Sequence, residues 1–194
     1  MNIEVIEEPA TVLAEYAGIP IAFEVNEIFG VITEAEGSFR LEARQLSAPY
    51  VKDYDAIGDG PSGWADRFDL SSWAFFSAVS EGQCVGRAAV ARDTPTLELR
   101  EGRPDLALLW DIRVAPTTRR HGVGSALFDA AVEWAAARGC RQLEVETQNI
   151  NVPACRFYAR RGCVLRAVRR DAYPELPHEI QLLWVKGLRR RTDV

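Results

Sequence analysis

Residues 106–138, LALLWDIRVAPTTRRHGVGSALFDAAVEWAAAR, decide how this chain is read. Leu106 to Val114 is almost continuously apolar, the pattern of a strand buried on both faces. From Gly122 to Arg138 apolar side chains recur at Val123, Leu127, Ala131 and Trp134, with Asp129 and Glu133 four apart on another face, which is the period of an amphipathic helix. Gly139 supplies its stop, and Gln142 to Thr147 (QLEVET) resumes as a strand, giving a β-loop-α-β unit of the kind that makes parallel pairing. The turn PTTRRHGVGSAL places Arg119, Arg120 and two glycines at the helix amino terminus. Orphan backbone N–H groups and the positive end of the helix dipole converge there, and glycine permits close approach by a phosphate. A Walker A loop would need a lysine where Ser125 follows Gly124, and a Rossmann fingerprint would need a third glycine further on, so neither nucleotide motif fits. What remains is RxxGxG at residues 119–124.

Outward from this unit, Ala22 to Ile32 and Ser38 to Leu46 alternate weakly and read as strands joined by a turn at EAEG. Segment 56–72, AIGDGPSGWADRFDLSS, concentrates Gly, Pro, Asp and Ser and reads as a long irregular connection near which something binds. Trp73 to Val79 and Cys84 to Ala91 are β-prone runs separated by SEGQ, a hairpin turn around Gly82. Asn151 to Arg160 reads as a second, shorter helix, and Cys163 to Val168 and Glu179 to Lys186 as closing strands around YPELPHE. No repeat, low-complexity tract or linker interrupts the chain, and the basic tail RRRTDV reads as frayed, from residue 187 onward.

The length of 194 residues predicts one domain spanning 1–194. With 47% hydrophobic and 26% charged residues, disordered, collagenous and disulfide-scaffold classes are excluded. The acidic start MNIEVIEEPA and the lack of a long apolar run predict a cytoplasmic protein without a membrane partner. The four cysteines, Cys84, Cys140, Cys155 and Cys163, have no CxxC spacing, and only His121 and His178 could join them, so neither a metal site nor a disulfide framework is expected. The net charge of −5 argues against nucleic acid but hides a division, because residues 1–79 carry 14 acids and 4 bases whereas residues 80–194 carry 14 acids and 19 bases. That split suggests an anionic ligand on the carboxyl-terminal half and a cationic one on the amino-terminal half. The alternative is that acids and bases far apart in sequence meet in the fold.

Twenty-seven positions past Gly124 begins NVPACRFYARRGC, residues 151–163, which reads as NxxAxxFYxxxGC. The two motifs, in this order around a β-α-β unit, resemble the pantetheine and pyrophosphate sites of the GNAT superfamily of acetyl-CoA-dependent N-acetyltransferases. Within it, ETQNINVPACRFYA, the upstream FGVITEAEGSFRLEARQLSAPYVKDYD, and the stretch from Tyr173 through Trp184 are similar to the streptothricin (nourseothricin) acetyltransferases, from about residue 23 onward. The resemblance implies an α/β fold of the α+β type, a splayed mixed β-sheet flanked by helices, with the cofactor between two strands that part at a bulge. It implies that the backbone of Ile112, Arg113 and Val114 bonds pantetheine and that Arg119, Arg120, His121, Gly122, Val123, Gly124 and Ser125 hold the pyrophosphate. It further implies that Asn151 bonds the pantetheine arm, that Ala154 lines the same motif, and that Tyr158 sits beside the thioester sulfur. Cys163 departs from the family pattern, which usually ends with an aromatic after the glycine.

The chemistry agrees with these roles. Coenzyme A is polyanionic and suits a basic helix start. Acetyl transfer leaves a thiolate, which a positioned phenol such as Tyr158 can protonate. A lysine-like acceptor amine has a pKa near 10.4, so only about one molecule in two thousand is nucleophilic at pH 7 and a proton must leave. Asp111, the only charge between Leu106 and Ile112, either pairs with a nearby cation or faces the cleft. Glu144 and Glu146 share a face opposite Leu143, Val145 and Thr147, which marks that face as wet. Asp111 or Glu146 could take the proton directly or through water, while Cys155 and Cys163 read as packing residues. The expected function is acetyl transfer from acetyl-CoA to an amine, on the β-lysine part, of a cationic streptothricin-type antibiotic, conferring resistance, with Glu24, Glu27, Asp53 and Asp55 as electrostatic attractor. The alternatives are a polyamine or protein amino group as acceptor, or a silent CoA-binding module. A homodimer is one option for assembly.

Overall fold

The computed structural model describes residues 1–34, 37–58, 60–94 and 103–188. In chain order its elements are β1 (Glu4–Glu8), α1 (Leu13–Tyr16), β2 (Phe23–Thr33), β3 (Phe39–Lys52), α2 (Trp64–Arg67), β4 (Ala74–Ser80), β5 (Gln83–Ala91) and β6 (Leu106–Val114). They continue with α3 (Val123–Ala137), β7 (Gln142–Gln148), α4 (Val152–Arg160), β8 (Val164–Arg169) and β9 (Gln181–Gly187). The chain divides into two compact units. The first takes residues 1–21, 53–143 and the chain from Gly187, and the second takes residues 22–52 and 144–186.

In the first unit the strands run in the order β1-β4-β5-β6, each antiparallel to the next. The β4–β5 hairpin turns through Glu81 and Gly82, at φ 51° and 74°, between the paired Ser80 and Gln83. Positive φ at both central residues is the turn whose twist matches a hairpin, and it explains the glycine. Strand β6 has one bulge. Asp111 pairs with Ala89 and Leu109 with Val90, so Trp110 is the extra residue. Before the bulge all four residues are buried, and after it burial alternates, with Asp111 and Arg113 buried and Ile112 and Val114 half-exposed. Two-sided burial therefore holds for the first part of the strand only.

Helix α3 buries Val123, Leu127, Phe128, Ala131, Trp134 and Ala135, each large apolar side chain contributing about 1.5–3 kcal/mol of burial. It closes on Gly139 at φ 79°, with Gly139 N–H donating to Ala136 O and Cys140 N–H to Ala135 O, a Schellman stop. The helix lies so close to β5 that a Cβ at Gly86 would stand 2.8 Å from Val123 Cγ1 and 3.0 Å from the Arg113 carbonyl oxygen.

Segment 56–72 is less irregular than its composition predicts. It holds a turn of 3-10 helix, Pro61–Gly63, followed by α2. Trp64 and Phe68 from this stretch join Trp73, Phe75, Leu13, Tyr16, Leu108 and the partly buried Trp110 in one aromatic cluster. Phe68 meets Trp110 edge-on at 5.2 Å, and Trp64 meets Tyr16 likewise at 5.2 Å. The proline- and glycine-rich composition shapes a loop that packs inward rather than one that stays open.

The second unit contains the strands β7-β9-β8, with β8 antiparallel to β9, and the antiparallel hairpin β2–β3. The turn at EAEG falls partly outside the described residues, as does the tail from residue 189. Strand β3 runs six residues past its expected end at Leu46, across an irregularity where Val25 pairs with Tyr50 but Glu27 with Gln45. Helix α4 begins at Asn151, whose Oδ1 accepts from Ala154 N–H at 3.2 Å, and ends in a second Schellman stop at Gly162, φ 74°. Among the described residues no helix is long and apolar enough to cross a membrane.

Replacing Gly86 with valine forces its side chain into α3 and the β6 backbone. We expect a loss of about 1–3 kcal/mol, the cost of overpacking, measurable as a lowered midpoint in urea unfolding.

Candidate active site

The amino terminus of α3 gathers backbone N–H groups and basic side chains. Arg120 at φ 66° and Gly122 at φ 90° coil the preceding turn left-handedly, and no side chain caps the helix. The Ala126 N–H is the one that bonds back to Gly122 O, so the N–H groups of Val123, Gly124 and Ser125 precede the helical ladder. Arg119 Nε donates to Val114 O at 3.2 Å and His121 Nδ1 lies 2.9 Å from Arg119 O, which ties the basic turn to the end of β6. Arg119 through Ser125 are thus brought together around one helix end, as their spacing predicts, and beside them in the same unit lie Ile112, Arg113 and Val114. Uncapped donors, a positive dipole end and two arginines fit a pyrophosphate.

Asp111 realises the first of its two alternatives. Its oxygens accept from Arg113 Nε at 2.9 Å and Nη2 at 2.7 Å, and from the Tyr16 hydroxyl at 3.1 Å. Arg113 is in turn held by Asp55, at 2.7 and 3.2 Å, and by the Ile19 carbonyl, and its guanidinium stands 5.1 Å over the Tyr16 ring. Burial alone would lower the Arg113 pKa. The two carboxylates outweigh burial and raise it above its ordinary value. Burial, and then the Asp111 charge, hold Tyr16 well above the usual phenol range.

Along β7, Leu143, Val145 and Thr147 are buried while Glu144 and Glu146 lie on the half-buried face, as their alternation predicts. Glu146 is the centre of a second network. Its Oε1 accepts from the Tyr173 hydroxyl in a short bond and from Gln148 Nε2 at 3.4 Å, and its Oε2 accepts from Gln181 Nε2 at 2.9 Å. Gln148 also donates to the Tyr173 oxygen at 3.0 Å. Burial, then the adjacent Glu146 charge, push the Tyr173 pKa well up, so this phenol stays protonated. Tyr173, Gln148 and Gln181 escape sequence reasoning. Gln148 shares period two with Glu144 and Glu146, the one signal that could have found it.

Asn151, Ala154 and Tyr158 share α4. Asn151 Oδ1 is occupied as the helix cap, which leaves its amide nitrogen as donor for any ligand. Tyr158 is 4% exposed on the buried face with Val152 and Cys155, and its ring meets Phe157 at 5.3 Å. Cys163 is buried directly after the Gly162 stop, a position that favours an apolar residue against the last helical turn. Burial pushes the Cys155 thiol up to about 12 and the Cys163 thiol up to about 11, so both are thiols, not thiolates, at neutral pH. Among the described residues no three His, Cys, Asp or Glu side chains cluster as metal ligands.

Two of the four expected attractor acids are already paired. Asp55 holds Arg113, and Glu27 forms a two-point pair with Arg156. Asp53 accepts from the Asp55 backbone N–H at 3.0 Å, which shapes the turn after β3.

Residues 39–163 match the Acetyltransferase (GNAT) family model. The chain belongs to this family. Its fold is accordingly the GNAT fold, a mixed β-sheet flanked by helices, and it is an acetyltransferase. It is 34% identical over 187 residues to the streptothricin acetyltransferase of Escherichia coli, covering 95% of this chain and 94% of that protein. It is 32% identical over 166 residues to streptothricin acetyltransferase A of Bacillus subtilis (strain 168), covering 81% and 86%. A crystal structure from Bacillus anthracis str. Ames, solved in complex with acetyl coenzyme A, superposes with a TM-score of 0.78 at 21% identity, covering 96% of this chain and 100% of that one.

Two outcomes follow for this acetyltransferase. Asp111→Ala leaves the Tyr16 hydroxyl without its acceptor and half of the Arg113 guanidinium unpaired, so unfolding free energy falls by about 3–5 kcal/mol in urea titrations. The second outcome concerns alkali. Groups whose pKa is raised in the fold contribute stability that is complete below their unfolded pKa and lost as pH rises through the folded one. Tyr16, Tyr173, Cys155 and Cys163 are all raised, the thiols from 9.0 to about 12 and 11. Stability therefore declines above about pH 9, by about 1.4 kcal/mol per pH unit for each group between its two values, and Cys155→Ala flattens the slope.

Proposed function

We propose that this acetyltransferase moves the acetyl group of acetyl-CoA to an amine of a streptothricin-type antibiotic, on its β-lysine part, and so confers resistance to it. The observation that carries this reading is the 34% identity to the E. coli streptothricin acetyltransferase across 95% of the chain. The Bacillus anthracis complex supports acetyl-CoA as the donor. In this reading the backbone of Ile112, Arg113 and Val114 bonds the pantetheine, and the turn from Arg119 to Ser125, with its uncapped N–H groups, takes the pyrophosphate. Asn151, through its amide nitrogen, and Ala154 serve the pantetheine arm.

The amine nitrogen attacks the thioester carbonyl, the C–S bond breaks, and the departing thiolate takes the Tyr158 hydroxyl proton, while the nitrogen gives up its surplus proton through water to the phenolate and so restores Tyr158. The ammonium must first shed a proton. Of the two strand carboxylates, Asp111 already holds Arg113 and Tyr16, so Glu146 is assigned the amine, with proton removal directly or through water. Buried, protonated Cys155 and Cys163 fit packing roles, because a deprotonated amine needs no covalent relay.

Purified protein incubated with acetyl-CoA and streptothricins, aminoglycosides, polyamines or peptides tests this directly, with free thiol as the readout. Streptothricin should release thiol, and Tyr158→Phe should lower kcat by about 10²–10⁴ with acetyl-CoA affinity retained. Thiol release with polyamines or peptides but not with streptothricin would overturn the substrate, and an unaltered kcat would remove Tyr158 from the proton transfer.

A further inference from the structure

Gln181 is 7% exposed at the start of β9, and its Oε1 has no hydrogen-bond partner among the described residues. The orientation of the amide is fixed, because Nε2 donates to Glu146 Oε2 at 2.9 Å and the opposite rotation would set oxygen against carboxylate oxygen. A buried acceptor without a donor is costly, and its isolation points to a group that arrives from outside. Since Oε1 and Nε2 share one carbon, the vacant acceptor lies within a few ångströms of the Glu146 carboxylate. Glu146 keeps capacity there too. Its Oε1 serves Tyr173 and Gln148, but its Oε2 serves Gln181 alone among the described residues. A carboxylate held by neutral donors beside a vacant amide oxygen calls for a ligand that carries positive charge and N–H donors together.

We propose that Gln181 Oε1 and Glu146 Oε2 form the subsite that receives the ammonium of the acceptor, with Tyr173 and Gln148 as positioning residues that hold Glu146 in its rotamer. This deepens the function proposed above and rests on it, adding Gln181 as a substrate-binding residue. Its amide oxygen accepts an N–H from the amine and orients the nitrogen lone pair once the proton has left.

Steady-state kinetics of Gln181→Met and Gln181→Lys test the assignment against wild type. Methionine keeps the volume and removes both the acceptor and the Nε2 donor to Glu146, so KM for the acceptor amine should rise about 10–100-fold, the scale of losing a hydrogen bond to a charged group, with KM for acetyl-CoA held. Lysine keeps a donor for Glu146 but sets a cation where the substrate ammonium belongs. Its KM should rise at least as far. If Gln181 merely positions Glu146, Gln181→Lys restores wild-type kinetics, and that result overturns the proposal, as does an unchanged KM in Gln181→Met. Should Gln181→Met fail to fold, Gln181→Lys decides alone. A wild-type enzyme that acetylates a different amine from the same panel overturns the streptothricin assignment only, and the two variants then test the subsite on that amine. A wild-type enzyme that acetylates no amine overturns both.

Discussion

Asn149 spends every hydrogen-bonding group it owns, and the second unit is organised around that fact. Its backbone N–H donates to Ile180 O at 3.0 Å while its Oδ1 accepts from Ile180 N–H at 2.8 Å. On its other side its backbone carbonyl accepts from Phe29 N–H at 2.9 Å and its Nδ2 donates to Phe29 O at 3.0 Å. A 3% exposed residue thereby satisfies two backbone positions, one in β2 and one directly before β9, just where β7 runs out. An aspartate would face the Phe29 carbonyl with a second acceptor, and a leucine would leave buried backbone groups on both sides without partners. The turn so fixed leads within two residues to the Asn151 cap of α4, and the strand it fixes leads within one residue to Gln181. Position of the helix that bears Tyr158 and position of the amide beside Glu146 are therefore set by one side chain.

The first unit obeys the same accounting with charge instead of amides. A buried guanidinium is tolerable only when paired and fully bonded. Arg113 meets that condition through Asp111, Asp55 and the Ile19 carbonyl, groups drawn from three distant parts of the chain. The acidic amino-terminal portion and the basic remainder meet repeatedly in this way. Glu15 faces Arg87, Glu27 faces Arg156 and Glu7 faces Arg138, while the buried Lys52 faces Glu179 in the opposite sense. Much of the charge division along the chain is thus internal pairing. What it offers a cationic ligand is narrower than the totals suggest, and it resides in particular carboxylates, not in the acidic portion as a whole.

Which features were legible in the sequence follows from how local their causes are. Strand β6 and helix α3 were readable nearly to the residue, because their periodicity is carried by side chains within a few positions of one another and Gly139 marks the stop. Strand β1 was not, since EVIEE is a short edge strand whose glutamates mask its alternation. Helices α1 and α2 are single turns with no period to detect, and Trp64 of α2 joins them by ring contacts to Tyr16 of α1, Trp73 and Trp110. The pairing of Asp111 with Arg113 is two residues apart and could be anticipated. Its bond to Tyr16, 95 residues away, could not. The Glu146 network draws on Tyr173 and Gln181, 27 and 35 residues further on, in a stretch whose composition signals only turn and strand.

The two strand carboxylates show why similar residues take different work. Asp111 is bound by a guanidinium, so its negative charge is cancelled where it sits and it serves as a brace for β6. Glu146 is bound by a phenol and two amides, all neutral. Neutral donors fix a carboxylate's direction without removing its charge, and a protonated phenol raised far above neutrality cannot compete for it as an anion. A cation approaching this site meets a charge that is already oriented and only partly desolvated, so little reorganisation opposes its binding. On the proposed reading the same arrangement limits the strength of the attraction. An amine gripped as firmly as Arg113 is gripped would never release its proton, whereas a carboxylate shared among three donors attracts the ammonium and still permits its deprotonation.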